Sequence, residues 1–89
     1  MALFDLLGRR WTLRVLWELR DGAVNFRDLQ ARCEGMSSSV LNQRLHDLRD
    51  AGIVSLSEGH GYTLTAEGEA LLDALAPLHA WATRWGERV

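Results

Sequence analysis

GMSSSVLNQRLHDLRDAGIV, residues 35–54, decides the fold. It reads as a capped helix that ends at a glycine and passes into a strand. Ser37 is the expected N-cap, its hydroxyl accepting from one of the first free backbone amides. Val40, Leu41, Leu45 and Leu48 recur at helical spacing and make a buried stripe. Ser39, Asn42, Gln43 and His46 occupy the opposite side, each polar and able to donate or accept in a plane. Asn and Gln amides pair bidentately with adenine edges, and Ser serves almost any base. Gly52 closes the helix where a positive φ is wanted. Periodicity fixes burial and not a partner, so an ordinary solvated helix face fits the same pattern.

Working outward, Asn25 followed by Asp28 resembles a capping box, with Asp in place of the usual Glu. It starts a short helix from Phe26 to about Cys33, with Phe26, Leu29 and Cys33 facing inward. Two short helices joined by a turn holding Gly35 form the pattern of a helix-turn-helix, whose second helix reads the major groove. Ala23 and Val24 fit a short strand or an extended link. On the far side, Ile53 to Glu58 alternates as a strand, Gly59, His60 and Gly61 turn, and Tyr62 to Thr65 returns. This hairpin, about residues 53–65, is a small wing.

At the N-terminal end, Ala2 to Leu7 is short, apolar and helical. Trp11 to Arg20 is apolar nearly all round, which predicts burial on more than one side and hints at a second subunit. At the other end Thr65 caps a helix from Ala66 to about Arg88, with Leu71, Leu75, Leu78, Ala82 and Trp85 as its stripe. At 1.5 Å per residue it reaches roughly 30–35 Å, longer than so small a domain covers. Pro77 is expected to kink this helix rather than end it. The far end, with Trp81 and Trp85, packs most economically on a partner.

The 89 residues allow one domain, with 47% hydrophobic content and four Trp. No apolar run reaches the ~20 residues of a membrane span and no signal-peptide pattern opens the chain, so a cytoplasmic protein is the expectation. The net charge of −2, from 10 basic residues (all Arg) and 12 acids, counts against tight nonspecific DNA binding. Eight of the Arg nevertheless fall before Ala51, in the half holding the groove helix. The single cysteine, Cys33, makes no internal disulfide and reads as a buried inert thiol. No Cys/His spacing suggests a metal site. The three histidines lie on three different elements, with no nucleophile–base pair or phosphate loop, so neither an enzyme nor a cofactor is expected.

Three stretches, LLGRRWTLRVLWEL, NFRDLQARCEGMSSSVLNQRLHDLRDAGIV and YTLTAEGEALL, resemble the HxlR family of winged-helix transcriptional regulators. VLNQRL, the DAGIV turn and YTLT-x-x-G carry the specificity as a combination. The resemblance implies a mainly α winged helix-turn-helix with a small β-hairpin and dimerising N- and C-terminal helices. It implies a homodimer that binds double-stranded DNA at a near-palindromic operator, as a regulator and most simply a repressor. Carried onto this chain, Ser38, Ser39, Asn42, Gln43 and His46 become base-contact candidates. Arg44, Arg27 and Arg10 become phosphate candidates, with an intramolecular pair to an acid of the first helices as the other role for Arg44. Leu6, Trp11, Leu78, Trp81 and Trp85 become dimer-interface candidates. The chain departs from the family in three respects. It begins too late to hold the redox-sensitive cysteine that many relatives carry ahead of the first helix, so redox sensing does not carry over. Its wing is short and without Arg, leaving His60 the polar candidate at the tip. Pro77 falls at an unexpected place. A small-molecule effector stays open, with Trp11, Trp17, Trp81 and Trp85 as walls of a pocket between subunits. The competing reading is a winged helix used as a protein-interaction module that does not bind DNA.

Overall fold

Ser37 begins the central helix as its sequence predicts: the hydroxyl accepts from the Val40 amide at 3.2 Å. The computed structural model describes residues 2–87. Along the chain it has α1 (Ala2–Leu7), α2 (Thr12–Glu18), α3 (Phe26–Arg32), α4 (Ser38–Asp50), β1 (Val54–Ser57), β2 (Gly61–Leu64) and α5 (Ala66–Gly86). Leu41, Leu45 and Leu48 of α4 are fully buried against Val15, Leu16 and Leu19 of the α2 segment and Leu29 and Cys33 of the α3 segment. Each such leucine contributes about 1.5–3 kcal/mol, so the α4 stripe is a main anchor of the fold. Gly52, at φ 75°, turns the chain out of α4 into the hairpin.

The structure trims several expected boundaries. The segment predicted as a helix over 11–20 is helical only over Thr12–Glu18. Trp11 stands in the left-handed region at φ 78°, which costs a non-glycine residue about 1–2 kcal/mol. Its ring packs against the core cluster and offsets that strain. At the other end the Leu19 and Arg20 amides reach back only three residues, to Leu16 and Trp17, and the helix closes in a tight turn. Asn25 caps α3 by accepting from the Asp28 amide at 2.8 Å.

The hairpin is antiparallel, with Val54 opposite Leu64 and Ser57 opposite Gly61. A single bridge between Val24 and Tyr62 adds the extended link ahead of α3 to its edge. Val54 is buried at the base of the wing, whereas Leu56 is exposed further out. The last helix runs through Pro77 without ending, because the proline removes one backbone bond and the rest of the ladder remains. Residues 76–87 are all exposed. Arg88, the expected end of this helix, lies outside the described residues. No helix among the described residues is long and apolar enough to cross a membrane.

Candidate nucleic-acid interface

With Leu41, Leu45 and Leu48 anchored inward, helical geometry turns the opposite arc of α4 outward. Ser38, Ser39, Asn42, Gln43 and His46 are all exposed, from the capped first turn to the third. Two of them are tied to acids on their own helix. The Gln43 amide donates through Nε2 to Asp47 Oδ1 at 2.9 Å. His46 Nε2 lies 3.2 Å from Asp50 Oδ2 in an exposed i,i+4 pair. Ser38, Ser39 and Asn42 take no part in these ties.

Arg44 is engaged within the protein. Its Nε donates to the Arg10 carbonyl at 2.9 Å, and its Nη1 meets Asp47 Oδ2 at 3.2 Å. The acid it pairs with is therefore on its own helix, not on the first helices. The Arg10 side chain is exposed, with its guanidinium 5.5 Å from the centre of the Trp11 ring. Arg27 is exposed in the first turn of α3. His60 is exposed at the wing tip, with Nδ1 3.3 Å from the Glu58 carbonyl. Asp47 is the residue that sequence reading missed. Its spacing of three from Arg44 and four from Gln43 puts all three on one strip of helix, a signal that was present and passed over.

The apolar candidates divide into two groups. Leu6 and Trp11 are half-buried against the core of the chain itself. Leu78, Trp81 and Trp85 are 55%, 50% and 53% exposed on the outer half of α5, and the two tryptophan rings stack on each other 5.8 Å apart. A groove of about 620 Å³ runs between α2 and α5, walled by Leu13, Trp17, Leu72, Leu75 and Leu78 among others. The Trp17 ring stacks on His79 at 4.5 Å, and the Arg20 guanidinium lies 4.1 Å from its centre. Within the chain the four tryptophans do not converge on one cavity: of them, Trp17 lines this groove. Among the described residues no group of three or more His, Cys, Asp or Glu is placed to hold a metal ion.

Comparison with known proteins fits this arrangement of capped helix, hairpin and overhanging last helix. The HxlR-like helix-turn-helix family matches residues 6–89. The chain belongs to the HxlR family. The HTH-type transcriptional regulator YvaP of Bacillus subtilis is 32% identical over 87 residues, covering 91% of this chain and 81% of YvaP. The crystal structure of a possible HxlR family transcriptional factor from Thermoplasma volcanium superposes with a TM-score of 0.88 at 30% identity, over 98% of this chain and 84% of that one. Quinone-bound YodB from B. subtilis superposes with a TM-score of 0.85 at 32% identity, over 93% and 92%. The protein is thus a transcriptional regulator of the HxlR type with the winged helix-turn-helix fold, and its named relatives are regulators.

Cys33 differs in character from a reactive thiol. It is fully buried at the end of α3. Burial pushes its pKa up, opposed by the Arg14 guanidinium and aided by the Glu18 carboxylate. The folded state therefore favours the neutral thiol. This contribution to stability is complete below the ordinary thiol range and is lost as pH rises through the raised value. Thiolate is the nucleophile, so the native protein at neutral pH should react with an alkylating reagent at least ~10-fold more slowly than the urea-denatured chain. Equal rates in the two states would show Cys33 to be accessible.

Proposed function

We propose that this HxlR-family regulator is a homodimer that binds double-stranded DNA sequence-specifically at a near-palindromic operator and acts by occupying it, most simply as a repressor. The exposed row of Ser38, Ser39, Asn42, Gln43 and His46 on a capped helix with its back locked into the core is the observation that carries this reading. Amides and hydroxyls on a rigid helix edge match the donor and acceptor pattern of the major groove. The exposed Arg27 and Arg10 serve as phosphate contacts, which fix register without reading sequence. His60 is the polar candidate at the tip of the short wing. The exposed half of α5, with Leu78, Trp81 and Trp85, is the dimer seam, and Leu6 and Trp11 back the seam from the N-terminal side. A small-molecule effector belongs to the proposal through the relative YodB, whose structure holds a quinone.

Selection of duplexes from a random pool, followed by titration at two salt concentrations, tests the reading. Enrichment of a near-palindrome supports it. Absence of any duplex binding even at low ionic strength would instead make the fold a protein-interaction module. Within the selected site, Asn42→Ala should weaken specific binding by about 1–3 kcal/mol and leave random-duplex binding nearly unchanged. Arg27→Ala should weaken binding to every sequence and flatten its salt dependence. Fluorescence anisotropy on labelled duplexes reads both.

A further inference from the structure

Asp47 accepts two hydrogen bonds, one from Gln43 on the outer edge of α4 and one from Arg44, which is itself tied to a distant backbone carbonyl. Its Oδ1 accepts from the Gln43 amide at 2.9 Å and its Oδ2 from the Arg44 guanidinium at 3.2 Å. Arg44 is anchored in turn by its bond to the Arg10 carbonyl at 2.9 Å, across 34 residues of sequence. The Arg44 and Asp47 side chains are only 16% and 19% exposed, so the ion pair is partly shielded from water and holds its geometry better than a surface pair. Gln43 itself is exposed.

We propose that Asp47 is a specificity-determining positioning residue that sets which edge of the Gln43 amide meets the base pairs. The inference rests on the DNA-reading role of α4 and deepens it. An ionised carboxylate only accepts, so it selects the amide nitrogen. The flipped amide would set Oε1 against Oδ1, two acceptors facing each other. One N–H is thereby consumed, and the carbonyl oxygen and the second N–H remain for a partner. An acceptor and a donor side by side match the N6 and N7 positions of adenine. Freed of Asp47, the amide samples both flips and several rotamers and loses that preference. A carboxylate near the groove also repels phosphate, so Asp47 suppresses binding to arbitrary sequence while sharpening the choice among sequences.

The test compares the wild-type chain, Asp47→Asn, Gln43→Ala and the double variant on the selected duplex and on duplexes changed at one base pair at a time. Side-chain amide NMR of the free proteins accompanies the binding measurements. Asp47→Asn keeps the size of the side chain but can donate to Oε1 and so permits the opposite flip. Its expected result is about a 10-fold loss of preference, confined to the base pair that Gln43→Ala also relaxes. Binding to random duplex should hold or rise, and the double variant should show no further loss at that base pair. In the wild type, the Gln43 amide proton pair should be shifted relative to that of Asn42 and should move in Asp47→Asn. Retained preference in a folded Asp47→Asn protein overturns the proposal, as does an equal loss at every position, the signature of a merely structural role. If the variant does not fold, the wild-type spectrum decides: a Gln43 amide with the exchange and shifts of a solvated side chain overturns it. A wild-type chain that enriches no sequence overturns the DNA reading itself, whereas normal selection with an unheld Gln43 overturns only the role of Asp47.

Discussion

Gly68→Ala is expected to unfold the protein or to lower its melting temperature by roughly 15 °C or more. Gly68 is buried in the first turn of α5, and a methyl group there would overlap the Ile53 carbonyl oxygen while pressing on Leu64 Cδ2 at 3.2 Å. The obstacle is backbone, which has no rotamer to give. Relief by moving α5 would break a joint that several bonds share. The Thr65 amide donates to that same Ile53 carbonyl at 2.9 Å. The Thr65 hydroxyl lies 2.6 Å from the Gly52 carbonyl and 3.1 Å from that of Ile53, and it accepts from the Gly68 amide at 3.1 Å. This cluster seats the last helix on the turn that closes α4 and opens the wing. Overpacking without an escape costs about 3 kcal/mol or more. A domain of this length has roughly 4–13 kcal/mol in total, so the loss is a large share. Gly86→Ala is the control: nothing lies within 4 Å of a methyl group there, and its effect should stay within about 1 kcal/mol. Thermal unfolding followed by circular dichroism measures both. Equal melting temperatures for Gly68→Ala and wild type would show that α5 can move away from Ile53 freely.

The second large effect concerns assembly. Leu78→Glu combined with Trp85→Glu should convert the protein to a monomer and weaken operator binding by about 10²–10⁴-fold, while each protomer keeps its fold. The protomer spends little of its own packing on these side chains, which are more than half exposed. Apart from Leu56 on the wing, the large exposed apolar side chains lie on α1, α2 and α5. That concentration of apolar surface is unlike the scattered single residues of a monomer surface. Carboxylates introduced into an apolar seam carry a desolvation cost that the lost apolar contact compounds. Binding then loses the gain from tethering two half-sites about 34–36 Å apart, because the second half-site is no longer engaged at high effective concentration. Light scattering gives the mass and anisotropy on the selected duplex gives the affinity. A wild-type protein already monomeric at working concentration, or an unchanged mass in the folded double variant, would refute the seam.

Much of this molecule is legible in one dimension because its rules are local. The Ser37, Asn25 and Thr65 caps, the buried Leu41–Leu45–Leu48 stripe, the glycine exit at Gly52 and the hairpin after it all follow from neighbours within about four residues. The outward row of Asn42 and Gln43 follows from the inward row by helical phase alone. Contacts between distant segments are a different matter. The bond from Arg44 to the Arg10 carbonyl joins residues that no spacing rule relates, and it makes Arg44 a brace between α4 and the link ahead of α2. The left-handed Trp11 shortens a helix whose apolar pattern runs on, because packing of the ring outweighs local preference. The glycine in YTLT-x-x-G stands out in the sequence only as a recurrent word. Its reason is the Ile53 carbonyl, fifteen residues away in chain but in contact in space. The sequence determined the elements, their caps and the polar edge of α4, since these depend on backbone bonding and periodicity. Tertiary structure alone decided what that strip of Gln43, Arg44 and Asp47 is braced against, since only packing brings the Arg10 carbonyl to Arg44.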